Sequence, residues 1–185
     1  MNSFRELVER LHVAHTDFAK VWKTAPHGHA AREPQKVTEA RDKFSDALNA
    51  LFGKLTPLEQ PLLAGDPQAI DAILDFSEVD IPAFRCGYAK QKYFRKLKSL
   101  SLNTAQEERL RRLAYNLCRS PNYGREIADL ARLMIRLADA SFIRELQQLS
   151  KDSDDRVRKK SQRMLDVILH NRADLRNVAP DPAPA

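Results

Sequence analysis

Apolar residues recur at intervals of three and four along almost the whole of this 185-residue chain, and no stretch alternates with period two for more than a few positions. A repeat near 3.6 lets a helix bury one face, whereas a half-buried strand needs alternation, so the pattern dictates an all-α fold. Phe4, Leu7, Val8, Leu11, Phe18, Val21 and Trp22 form a first stripe, expected to be buried. Ser3 and Glu6 stand at capping-box spacing before it, and Pro26-His27-Gly28-His29 ends it. A second stripe opens near Pro34 and carries Val37, Ala40, Phe44, Ala47, Leu48 and Leu51 before Gly53. A link of about ten residues favours antiparallel neighbours, so residues 1–53 read as a helical hairpin.

Pro57, Pro61 and Gly65 then predict a short helical turn and a bend. Asp66-Pro67 joins a good cap to a good first residue, and Asp80-Ile81-Pro82 repeats that signal for a helix running to about Leu100. Thr104 and Glu107 predict a capping box for the next helix, which Ser120-Pro121 stops. Over residues 123–138 apolar residues lie on more than one side, which implies a helix sandwiched between neighbours. Two further helices follow, one from Ser141 and one with Asp154 and Asp155 in its first turn. This makes about seven or eight helices. The length suits a single domain over residues 1–176, and three Pro and three Ala in residues 177–185 predict a disordered tail.

The stretch Phe142–Leu169, FIRELQQLSKDSDDRVRKKSQRMLDVIL, resembles a HEAT repeat. That family pairs two antiparallel helices, with an Asp in the turn and a Val-Arg pair further on; Asp152 and Val157-Arg158 stand at that spacing. The resemblance implies that Asp152 accepts hydrogen bonds in the turn and that Arg158 ties neighbouring repeats together. Shifting the pattern back about 48 positions, near the repeat's usual period, aligns Leu97, Leu100, Asn103 and Arg109 with Leu146, Leu149, Asp152 and Arg158, but the second helix then slips. The expected architecture is an irregular right-handed stack of HEAT-like antiparallel pairs over residues 54–176, packed on the N-terminal hairpin. The alternative is an irregular helical bundle.

Net charge is +6 but unevenly placed: residues 1–84 carry nine basic and thirteen acidic groups, residues 85–136 thirteen and four, residues 137–185 nine and eight. Arg85, Lys92, Arg95, Lys96, Arg109, Arg112, Arg119, Arg132 and Arg136 are therefore the candidate partner-binding residues, interleaved with Phe84, Tyr88, Tyr93 and Phe94. Clustered cations suit an acidic protein, or nucleic acid with an exposed aromatic stacking on a base. They equally suit a solvated face whose long stems cover apolar surface, with Glu107–Arg111 and Glu108–Arg112 as i,i+4 pairs. Arg156, Lys159, Lys160 and Arg163 form a second basic stripe that reads as an exposed side.

Catalytic motifs are missing: no Gly-rich phosphate loop, H-E-x-x-H or nucleophile elbow occurs, and five Gly leave little material for such turns. His12 with His15, and His27 with His29, provide too few ligands for a structural or catalytic zinc, so no metal and no cofactor are expected. Cys86 and Cys118, without a C-x-x-C pair, read as buried thiols. With no secretory pattern and no run of about eighteen apolar residues, a cytoplasmic location and no membrane association are expected. The functional expectation is a non-enzymatic adaptor that binds a protein through its basic face, with nucleic-acid binding by the same face as the alternative.

Overall fold

A computed structural model describes residues 4–24, 35–79, 84–120 and 126–178. The described residues are helical, with no strand. They fall into two compact units, Met1–Ala83 and Phe84–Ala185. Ser3, Pro26–Pro34 and Asp80–Pro82, on which four of the expected helix boundaries rest, lie outside the described residues, as does most of the expected tail.

The first unit contains α1 (Phe4–Thr24), α2 (Gln35–Leu55), a 3₁₀ turn (Thr56–Leu58), α3 (Glu59–Leu63) and α4 (Pro67–Glu78). Near one end Lys54 sits 5.9 Å over the Phe4 ring, and further along Phe18 stacks on Phe44 at 5.9 Å. Ascending numbers on α1 therefore meet descending numbers on α2, so the two helices run antiparallel. Leu7, Val8 and Leu11 of α1 and Val37, Ala47, Leu48 and Leu51 of α2 are buried in the core of this unit, and α4 also packs on α1. Trp22 departs from expectation: it is 48% exposed, tilted against Phe18 at 5.8 Å. Two long helices bury one seam between them, and at the last turn of α1 that seam covers only part of an indole.

The bend predicted after α2 is a Schellman motif. Gly65, at φ 77°, donates to the Leu62 carbonyl and Asp66 donates to that of Pro61. Asp66 then caps α4, its carboxylate accepting from the Gln68 N–H at 2.8 Å. One residue so closes one helix and opens the next.

The second unit contains α5 (Phe84–Leu97), α6 (Thr104–Arg119), α7 (Ile127–Leu137), α8 (Ala140–Leu149), α9 (Asp155–Asn171) and a final 3₁₀ turn (Ala173–Leu175). Helix α7 packs against α5, α6 and α9, and buries Ile127, Leu130, Ala131, Leu133, Met134 and Leu137. This is the sandwiched helix that its all-round apolar pattern predicts, and each fully buried Leu, Ile or Met contributes about 1.5–3 kcal/mol. Helix α8 packs on α6 and α9. The starts of α6, α8 and α9 and the end of α5 differ from the sequence reading, α8 opening at Ala140 and α9 at Asp155 with Asp154 as its cap. The α6 cap is one residue earlier, with Asn103 accepting from the Gln106 N–H at 2.9 Å and Gln106 accepting from the Asn103 N–H at 3.2 Å. Asn is a stronger cap than Thr, and Gln serves at the reciprocal position as Glu would. Helix α5 stops at Leu97 rather than about Leu100 and tightens into a turn, Ser99 and Leu100 donating to Lys96 and Leu97. At the other end of this unit, Val178 is held by its carbonyl, which accepts from Gln147 at 3.1 Å.

Cys86 and Cys118 are free and buried, as expected. Burial pushes each thiol from 9.0 up to about 11, outweighing the charges of Lys90 and Arg85 at Cys86, and the Ser161 hydrogen bond and Lys160 charge at Cys118. A thiol that holds its proton more tightly in the fold stabilises it fully below the ordinary pKa, and that contribution is lost as pH rises through the folded value. Circular-dichroism melts should therefore show stability falling between pH about 9 and about 11, with a shallower fall in Cys118→Ala. Equal slopes in the two proteins would contradict this.

Candidate binding surface

Helix α5 has two unlike sides. Cys86, Ala89, Lys90, Tyr93, Phe94 and Leu97 are buried, while Arg85, Tyr88, Lys92 and Arg95 are exposed and Lys96 is half-buried. At about 100° per residue, the five residues of the outer side fall within an arc of roughly 100°. Of the aromatics interleaved with these cations, Tyr93 and Phe94 belong to the core and Tyr88 stands 47% exposed in the middle of the strip.

Helix α7 adds to the edge of this strip through a buried carboxylate. Asp129, its side chain 6% exposed, meets Arg95 Nε at 3.2 Å and Arg132 Nη1 at 3.0 Å. Both arginine side chains are more than half exposed, so the buried acid holds two cations at the surface. Arg136, one turn on, donates to the carbonyls of Lys98 and Leu100 at 3.1 and 2.7 Å. Arg85, Lys92, Arg95, Lys96, Arg132 and Arg136 thus occupy α5 and the α7 edge packed on it.

The other three candidates lie on α6 and are used differently. Arg119 lies over the Tyr115 ring at 5.7 Å, and Arg109 is half-buried. Arg112 lines a recess of about 220 Å³ together with Glu108, Asp139 and Glu145. In that recess burial, with Asp139 and Glu108 nearby, raises the Glu145 carboxyl. Arg111 does not take the expected Glu107 partner: it binds Glu108 at 2.9 Å, donates to the Leu137 carbonyl at 3.0 Å and meets Asp139 at 3.7 Å.

The second basic stripe is also divided. Lys160 is half-buried and donates to the carbonyls of Leu117, at 2.9 Å, and Ser120. Lys159 pairs with Asp155 at 2.7 Å, and that hydrogen bond, with the added charge of Arg158, lowers the Asp155 carboxyl. In the turn between α8 and α9, Asp152 accepts from the Asp154 N–H at 2.8 Å, and Val157 is buried. Arg158 donates to the carbonyls of Asp152 and Ser153 and to the Asp155 carboxylate, all within its own helix pair. The resemblance implied a tie to a neighbouring repeat at this position.

His12 is exposed, and His15 packs edge-on to Phe44 at 5.5 Å with its pKa lowered by burial and by His12. His27 and His29 lie outside the described residues. Among the described residues no group of three or more His, Cys, Asp or Glu is placed to hold a metal ion, and no helix is long and apolar enough to cross a membrane. Comparison with family models, with curated proteins and with solved structures finds no match.

Sequence reasoning missed Asp129, whose available signal is that it is the one acid between Ile127 and Ala138. Replacing it by Asn removes the charge and keeps the size. Both arginines can return to water, so the expected loss is about 1–2 kcal/mol, measured by urea unfolding. In a double-mutant cycle with Arg95→Met the two losses should be less than additive; full additivity would contradict the shared anchor.

Proposed function

We propose that this is a non-enzymatic binding protein whose α5 strip engages an acidic protein partner. The observation that supports this reading is the gathering of Arg85, Lys92, Arg95 and Lys96 around exposed Tyr88, with Arg132 at the edge held by Asp129. A cationic surface around an aromatic favours such a partner because Arg and Tyr supply much of the energy at protein interfaces while complementary charge speeds the encounter. We read α8 and α9 as a HEAT-like pair within this scaffold, on the Asp152–Arg158 turn. The proposed location is the cytoplasm, where two free thiols remain reduced.

A second reading, nucleic-acid binding by the same strip, is favoured by one feature: Tyr88 is exposed between cations, where a base could stack on its ring.

The triple variant R85E/K92E/K96E should lose affinity capture of protein partners from nuclease-treated lysate while its thermal melt stays unchanged. Undiminished capture contradicts the proposal. Labelled single-stranded and duplex oligonucleotides, titrated at about 50 and 200 mM salt, test the second reading: affinity should fall roughly tenfold or more across that range. Absence of binding at the lower salt removes it.

A further inference from the structure

The first unit has a surface feature unrelated to the α5 strip. An open groove of about 710 Å³ runs along α1 and α2. Its carboxylates are Glu6, Glu9 and Asp17 on α1 and Asp46 on α2, all exposed, against two cations, Arg10 and Lys43. Its apolar lining is Val13, 60% exposed, with Ala14 and Ala47.

Glu6, Glu9, Val13 and Asp17 are separated by three or four positions and so follow one side of α1. At 1.5 Å per residue they span about 16 Å, or three helical turns. The two alanines keep the lining low enough for a helix backbone to approach, and Val13 offers a knob for apolar contact. Two parallel walls with a small-residue lining suit an amphipathic helix laid lengthwise. The charge then selects among such helices: carboxylates outnumber cations four to two, so Lys or Arg flanking the apolar face is attracted and Glu or Asp is repelled.

We propose that the α1–α2 groove docks a cationic amphipathic helix of a partner protein, about three turns long. Its apolar face would rest on Val13, Ala14 and Ala47, with its cations against Glu9, Asp17 and Asp46. This site does not depend on the α5 strip.

The test uses the full chain and two labelled fourteen-residue helical peptides, one built of Leu and Lys at helical spacing and the other with Glu replacing every Lys. Fluorescence anisotropy should show one-to-one binding of the Lys peptide and none of the Glu peptide. The dissociation constant should rise by roughly tenfold or more in E9K/D46K, rise also in the neutralised D17N/D46N, and stay unchanged in R85E/K92E/K96E. Circular-dichroism melts confirm that the variants fold. Equal binding of both peptides, or affinity unaffected by the groove variants, overturns the proposal. So does light scattering that finds a dimer converted to monomer by E9K/D46K, since the occupant would then be a second copy of the chain.

Discussion

The bond on which the Phe84–Ala185 unit depends joins a cationic side chain of one segment to the terminal carbonyls of another helix. An α-helix leaves four carbonyls without partners at its C-terminus, and the aligned peptide dipoles make that end partially negative. Here Arg136 serves the turn that closes α5, through the Lys98 and Leu100 carbonyls, Lys160 the end of α6, and Arg111 with Arg172 the end of α7. Arg176 serves α9 in the same way. The first four reach across 26 to 43 residues of chain, so each bond satisfies a helix end and fixes where a second helix lies. A charged donor contributes about 1.5–3 kcal/mol in such a bond, and more is at stake when a part-buried carbonyl would otherwise lose its partner.

That use of cations changes what the basic charge means. Residues 1–83 carry nine basic and thirteen acidic groups and residues 84–185 carry twenty-two and twelve, so the two units differ in sign. A sizeable part of the excess in the second unit is directed at helix ends, and further cations pair with Asp129 or Asp155. The strip on α5 gathers part of the remaining charge around exposed Tyr88. In the first unit, carboxylates also gather along a groove between α1 and α2.

The all-α class, the central place of α7 and the Asp66 cap are legible because each rests on spacing within a few residues, whereas Asp154, read into the first turn of α9, is its cap. The Asn103–Gln106 box was misplaced by one position because Asn103-Thr104 offers two acceptable caps followed by Gln106-Glu107, and local pattern does not choose between them. Half-exposed Trp22 was not legible, since helical spacing tells which side of a helix is apolar and not where along it the cover ends. The grouping of Arg95 with Arg132 needed Asp129 and the packing of α5 on α7, a tertiary fact. Lys160 shows the limit most plainly: on its own helix it belongs to an outward basic stripe, and its partners, the Leu117 and Ser120 carbonyls, lie more than three dozen residues earlier.

Lys159 and Lys160 are adjacent, carry the same charge and differ in partner: one meets an exposed carboxylate, the other the end of α6. Urea unfolding of Lys159→Met and Lys160→Met compares those two uses of a cation directly. Lys160→Met should lose about 1.5–3 kcal/mol, while Lys159→Met should stay within about 0.5 kcal/mol of the wild type. Equal losses in the two variants would contradict the view that cations hold this unit together through its helix ends.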